Sequence, residues 1–327
     1  MYRGDLDLAL RLDEDLLRVS RQHNDTRGLV LSYQSCGTGY GVRGRFALSR
    51  SFLETVLSLY DADSHHSLGP QTGSHPQVVA QAYLGLTLLC LGFPDLALVR
   101  GNAAIAEARR LAHSPTLASA LMIAAIRLSI SGNNGDLDEC ANELVAMAAD
   151  QSFSQWHAFG TIHRGWVKAK NGDVVEGISL LRSGLATYRA NGSELLMPHH
   201  TALLARAYDI AGQVEEALTA LDEVLQITDM TGERWVAAEL NRHKGQLLLL
   251  QGHSDAAEEL YRNALTIAVE QEAKLWELRA AMSLARLWRD QGRSAEACDL
   301  LAPVYGWFTE GFDTSDLKQA KTLLESL

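Results

Sequence analysis

The chain has 327 residues, of which 47% are apolar and six are proline, and its formal net charge is −11. That acidic balance argues against a general nucleic-acid binder, which needs a basic footprint. Four cysteines (Cys36, Cys90, Cys140 and Cys298) stand far apart with no Cys-x-x-Cys, which excludes a disulfide scaffold or zinc ribbon.

Met1 to Leu10 carries charge and no apolar run, so no signal peptide is read there, and the thiols suit a cytoplasmic protein. Gly4 then opens a series that continues through Gly44, Gly92, Gly135, Gly172, Gly212, Gly252 and Gly292, in steps of 40, 48, 43, 37, 40, 40 and 40 residues. Five residues after each stands Ala9, Ser49, Ala97, Cys140, Gly177, Ala217, Ala257 or Ala297. Such a period predicts a stacked repeat array, in which no unit buries its apolar face alone.

Residues 1–21 hold a second helix with no first helix before it, an incomplete repeat whose Leu12, Leu16 and Leu17 invite self-association. Around Gly44, the residues Gly37, Tyr40, Ser49, Leu53 and Val56 repeat at helical spacing on both sides of the turn. Residues 61–76 are rich in Gly, Pro, Ser and Asp and read as a surface loop. Val78 to Leu91 is the most apolar stretch but falls short of the roughly 20 residues a bilayer span needs. Gly85, Leu88, Ala97 and Ala104 restate the pattern around Gly92. It returns as Ala205, Tyr208, Ala217 and Leu221 around Gly212, as Gly245, Leu248, Ala257 and Tyr261 around Gly252, and as Ala285, Trp288, Ala297 and Leu301 around Gly292. Each turn glycine sits where the first helix must stop, a position suited to positive φ. Residues 314–327 read as a capping helix, N-capped by Thr314 or Ser315.

The small–large–turn–small–large pattern resembles the tetratricopeptide repeat, whose usual unit is about 34 residues. The expected fold is all-α, a right-handed superhelical solenoid of tetratricopeptide-like hairpins forming one array over residues 1–327.

Several longer stretches carry a further resemblance. They are Phe159-Gly160-Thr161 with Gly165-Trp166, Gly192-Ser-Glu-Leu-Leu-Met-Pro198, Thr231-Gly-Glu-Arg-Trp235, Ala238-Glu-Leu-Asn-Arg-His-Lys-Gly245, Trp276-Glu-Leu-Arg-Ala-Ala281 and Pro303-Val-Tyr-Gly-Trp-Phe-Thr-Glu-Gly-Phe-Asp-Thr314. From about residue 75 onward the chain resembles the C-terminal, maltose-regulator-type helical repeat region of bacterial multidomain signalling ATPases. Many of those carry a nucleotide cyclase or DNA-binding domain ahead of a P-loop ATPase. The resemblance implies a sensing or scaffolding array attached to a nucleotide-driven output. No Gly-x-x-x-x-Gly-Lys-Ser/Thr loop stands in this sequence, so ATP hydrolysis and its Mg²⁺ site are not carried over. The chain therefore reads as a piece of a longer polypeptide or as a shortened relative.

In such arrays first helices line the concave side. In the last three units the first helices hold eight Arg or Lys against six acids, and the second helices two against ten. An Arg-bearing front before an acidic back suits capture of an acidic protein or peptide segment through bidentate carboxylate contacts. By template position Trp166, Arg206, Arg242, Gln246 and Arg286 project from first helices toward that partner, with inter-repeat packing the competing role for Trp166. Trp156, Trp235, Trp276 and Trp288 read as packing residues. A small-molecule effector site is the second reading.

No catalytic centre, cofactor or metal is expected. His65, His66 and His75, and the pair His199 and His200, lack the i,i+4 spacing and supporting ligands of a metal site. No Gly-x-Ser-x-Gly occurs, and the cysteines fall in helical patterns as core residues, Cys140 and Cys298 at or beside the small-residue slot.

Overall fold

The computed structural model describes residues 5–65, 67–151 and 153–327. Every element among them is helical. A lone helix α1 (Leu6–Gln22) precedes the hairpin α2 (Thr26–Val42) and α3 (Phe46–Leu59). Two short helices, α4 (Ala62–His65) and α5 (Leu68–Thr72), lead to α6 (Pro76–Cys90) and α7 (Pro94–Leu111). The pairs α8 (Ser114–Ser131) with α9 (Asn134–Gln151), α10 (Ser154–Lys170) with α11 (Val174–Ala190), and α12 (Met197–Ile210) with α13 (Val214–Thr231) follow. Then come α14 (Ala237–Leu250) with α15 (Ser254–Glu270), α16 (Lys274–Asp290) with α17 (Ser294–Gly306), and the capping helix α18 (Ser315–Glu325).

The turn glycines take the left-handed conformation expected of them, with φ of +76° at Gly44, +91° at Gly92 and +72° at Gly212. One assignment is corrected. Gly135 lies in the first turn of α9, and the left-handed residue is Gly132, at φ +78°. From Gly92 to Gly292 the turns therefore recur every 40 residues. Ala125 falls into the small-residue position of the first helix, whereas the second-helix slot holds the buried Leu137. Gly4 lies outside the described residues.

Small residues let the hairpins close tightly. A Cβ on Gly177 would stand 2.7 Å from the Gly165 carbonyl oxygen and 2.7 Å from the Ala169 amide nitrogen, so α10 and α11 touch backbone to backbone. Second helices bury one face, as in α13 through Ala217, Leu221 and Val224. Inner helices are covered nearly all round: α8 buries every residue from Ala120 to Ile130, and α16 buries Leu275 to Leu278 and Ala280 to Ala285. By length and composition α8 could cross a membrane; here it is a core helix that also carries the buried Arg127.

That all-round burial has a cause the repeat pattern did not contain: the superhelix closes on itself. The Val42 carbonyl at the end of α2 accepts the Arg234 and Trp235 amides at 3.1 and 3.2 Å. Glu310 accepts the Asp95 and Leu96 amides at the start of α7 at 3.0 and 3.1 Å, satisfying orphan donors of that helix. Asp95 returns the contact by accepting the Gly311 amide. Phe93 meets Trp307 edge to face at 5.4 Å. The open concave groove is therefore replaced by a filled interior.

Two local expectations are also corrected, and one is refined. Most of the described residues of 61–76 are exposed, but the segment carries α4 and α5 and is anchored by the buried His65, Leu68 and His75; Tyr60 Oη sits 3.0 Å from His75 Nε2. Cys298 is exposed because Ala297 takes the buried slot. Leu17 is buried, whereas Leu12 and Leu16 are exposed together with Leu8 and Val19.

The tight α10–α11 approach makes a direct test. Gly177→Val changes helix propensity little but forces two extra carbons plus Cβ between backbones. It is expected to cost about 1–3 kcal/mol in urea unfolding, whereas Val175→Ala on the exposed face changes it by less than about 0.5 kcal/mol.

Candidate functional site

Where the inner helices converge, the interior keeps one strongly charged cavity of about 250 Å³. Trp166 enters from α10, Arg206 from α12, Glu239 and Arg242 from α14, Arg279 and Arg286 from α16, and Asp316 from α18. Its mouth lies beside the α8–α9 turn, where Lys170, Ser315 and Gln319 are exposed. Four of the five side chains singled out in the sequence thus share one space. The fifth, Gln246, is exposed outside the lining and accepts a 3.4 Å hydrogen bond from Arg242.

Two carboxylates organise the cations. Glu239 accepts two hydrogen bonds from Arg242, at 2.7 and 2.8 Å, one helical turn along α14. Asp316 accepts two from Arg279, at 2.7 and 2.8 Å, and the same guanidinium donates to the Ile130 carbonyl at 2.8 Å. Arg279 also lies 3.6 Å from Glu239. Burial by itself would raise the Glu239 carboxyl. Arg242, then Arg279 and Arg206, hold it well below the usual carboxylate range instead. Arg242 reaches Ser283 at 3.3 Å, tying α14 to α16.

Trp166 is only 2% exposed, so it is a wall of the interior rather than a free anchor. Arg206 stands over its ring at 5.0 Å from the centroid and Lys170 at 5.7 Å, both within cation–π range. Trp235 and Trp276 are fully packed, and Trp276 Nε1 donates to the Trp235 carbonyl at 3.0 Å. Arg279, Glu239 and Asp316 were not singled out as site residues. The first two show only as first-helix charges in sequence, and Asp316 belongs to the capping helix.

A second, more open groove of about 470 Å³ runs outside between α11 and α13, where Arg182 and Arg189 face Glu215, Glu216 and Glu223. Its charged side chains are exposed, and Thr201 is the buried polar residue of its described lining. The inner cavity is the better candidate, because convergent polar side chains on packed helices give a ligand fixed geometry.

His199 and His200 form a buried aromatic cluster with His163, their ring centroids 5.5 to 6.3 Å apart. His163 Nδ1–H donates to the Phe159 carbonyl at 3.0 Å, and His199 Nε2 lies 3.1 Å from Ser129 Oγ. Among the described residues no group of three His, Cys, Asp or Glu is placed to hold a metal ion. His66 lies outside the described residues. Burial pushes His163 down to about 4 and keeps His199 and His200 well below the ordinary histidine range. Nearby, Glu233 is buried, accepting the Leu196 amide and Trp235 Nε1–H at 3.0 Å; burial pushes its carboxyl up to about 7.

Comparison with known proteins places the repeats. The sequence model of the tetratricopeptide repeat matches residues 198–223, 242–263 and 278–303. These segments fall on α12–α13, α14–α15 and α16–α17, and the chain is an array of tetratricopeptide-like helical repeats. An uncharacterized protein of Rhizobium meliloti (strain 1021) is 24% identical over 246 residues, which cover 75% of this chain and 24% of that protein. The chain thus spans about a quarter of that relative's length. Among solved structures, the Rap conjugation gene regulator of plasmid pLS20, in complex with a Phr peptide, superposes with a TM-score of 0.59 at 12% identity, covering 94% of this chain and 76% of that one. A Rap protein complexed with competence and sporulation factor gives 0.55 at 11% identity, covering 98% and 97%. At these identities the likeness is one of fold.

The histidine cluster sets the acid response. Histidines held neutral in the fold regain their ordinary affinity for protons, near pH 6.5, once the chain unfolds. The unfolded state then binds more protons below that pH, and stability falls as pH drops from about 6.5 toward 4. Glu233 acts oppositely between about 4.5 and 7, but it is one group against three. Denaturant unfolding should show a loss of about 2–4 kcal/mol between pH 6.5 and 5. His163→Phe should flatten that slope; an unchanged slope in the variant would contradict this account.

Proposed function

We propose that this array is a non-catalytic regulatory scaffold that recognises an acidic segment of a protein or peptide partner at the inner cavity. One observation carries the reading. Three consecutive inner helices, α12, α14 and α16, deliver Arg206, Arg242, Arg279 and Arg286 to a space that holds only two carboxylates. Arg presents a planar fork of donors that matches a carboxylate bidentately, and a partly desolvated setting strengthens each contact.

The tetratricopeptide-type repeat is a scaffold for protein interactions, and the two Rap structures of like fold were solved with a peptide or a factor bound. Their likeness supports the class of partner rather than its identity. The resemblance to the repeat region of signalling ATPases supplies the setting we favour: a cytoplasmic sensor whose partner contact is passed to an output module elsewhere in a longer protein. A small rotation between repeats would pass it on, because the closing contacts at Val42, Asp95 and Arg279 have either to hold or to part.

A small-molecule effector is the second reading, and the size of the cavity favours it in one respect. At about 250 Å³ it lies below the roughly 300–1,000 Å³ typical of drug-sized ligands, so it takes one compact anionic group.

Titration of a fluorescent Asp/Glu-rich peptide tests the proposal. Affinity should fall as salt rises from 50 to 300 mM, by screening over a Debye length of about 10 Å. The double variant Arg206→Ala and Arg286→Ala should weaken it by about tenfold or more. Binding indifferent to both salt and the substitutions would overturn the proposal.

A further inference from the structure

The charges of the inner cavity do not balance within the protein. Arg242 and Arg279 each hold a carboxylate through two hydrogen bonds, which engages Glu239 and Asp316. Among the described residues Arg286 reaches only the amide oxygen of Gln319, at 3.3 Å. Arg206 forms no hydrogen bond or ion pair among the described residues and rests on the face of Trp166. Burial, aided by Arg279 and Arg242 and opposed by Glu239, pushes its guanidinium down to about 10, so it remains charged at neutral pH. Arg206 is half-buried, and a cation partly withdrawn from water without a hydrogen-bonded counter-charge loses hydration that nothing in the protein replaces.

The Trp166 indole adds a second unspent donor. It is 2% exposed, and its Nε1–H has no acceptor among the described residues. A buried donor left unpaired forfeits its hydration for nothing in return. The N-terminus of α18 also borders this space through Ser315 and Asp316, and Thr314 makes no side-chain cap bond there. Arg206, Arg286, the Trp166 N–H and the helix end are all donors or positive. What is missing is a compact acceptor with negative charge.

We infer that the cavity is an oxyanion site, which takes one phosphoryl or carboxylate-bearing group between Arg206, Arg286 and Trp166 Nε1–H. The inference rests on the proposed reading in treating this cavity as the ligand-facing surface, and it deepens that reading by naming the group recognised and its anchors. The group can arrive as a free small anion or as the acidic side chain of a peptide. Glu239 and Asp316, already chelated, set the limit: they leave room for one added anion and disfavour a second by repulsion.

Calorimetry on the whole chain tests this with inorganic phosphate, citrate and the acidic peptide as separate titrants at constant ionic strength. Phosphate or citrate should bind one to one. Arg206→Met should weaken binding at least about tenfold, and Trp166→Phe, which keeps the ring and removes the donor, by severalfold. Arg206→Met should melt close to the wild type, since Arg206 has no hydrogen bond or ion pair to lose among the described residues and Met keeps an apolar contact with the Trp166 ring. A lower melting temperature would make Arg206 a structural residue and count against the site. If Trp166→Phe fails to fold, Arg206→Lys takes its place, and it should bind more weakly than wild type but more tightly than Arg206→Met. No saturable binding of phosphate or citrate below about 1 mM would overturn the inference. If the peptide nevertheless bound through Arg206, the scaffold reading would survive and the free-anion site would not. Anion binding without peptide binding would do the reverse.

Discussion

Closure of the superhelix turns on one guanidinium. Arg279 leaves an inner helix and donates to the capping helix at Asp316 and to the Ile130 carbonyl at the end of α8, 149 residues earlier in sequence. Burial opposes its charge, and Asp316 and Glu239 outweigh that cost, so it remains firmly protonated. Removing one member of such a buried set leaves the others uncompensated, which typically costs about 3–5 kcal/mol. Other contacts seal the ring elsewhere, but this one lies on the cavity wall. The same bonds that close the fold therefore shape the candidate site.

Closure also explains why the inner surface differs from an open groove. In an open solenoid the concave face would meet water, and its Trp and Arg side chains would reach a partner along several repeats. Here opposing inner helices cover one another: α8 is apolar almost all round, the usual mark of a fully enclosed helix, and α16 is buried over most of its length although it carries Arg279 and Arg286. Polar side chains that cannot join such a core collect in one place, beside the last turns of α8 and α10 and the middle of α16. Cations at helix C-termini also answer the negative ends of those dipoles, so part of the clustering is structural. The lack of a partner for Arg206 is not explained by that.

Much of the repeat was legible because its constraints act locally. A left-handed turn leaves a glycine, and a backbone contact leaves a small residue, as at Gly165 and Gly177. Gly135 misled only because Gly132 stands three residues away and satisfies the same rule. Trp166, Arg206, Gln246 and Arg286 were legible as a set because they stand 40 residues apart, at one position in successive repeats, and Arg242 lies one helical turn before that position on α14. Gln246, on the next turn of α14, falls on the wet side. The roles of Arg279, Asp316 and Glu310 were not legible: each depends on the pitch of the superhelix, which is summed over many packing angles and is written in no single residue. The anchoring of residues 61–76 was hidden similarly, since Pro, Gly and Ser mark a break in a long helix but not the burial of His65 and Leu68 within it.

The closed ring can be measured most directly by small-angle X-ray scattering on the monomeric chain. A compact particle of this length should have a radius of gyration of about 20 Å. Opening of the contacts at Val42, Asp95 and Arg279 would yield an extended superhelix, and a value near or above about 25 Å, beyond the compact-domain scaling, would contradict the account.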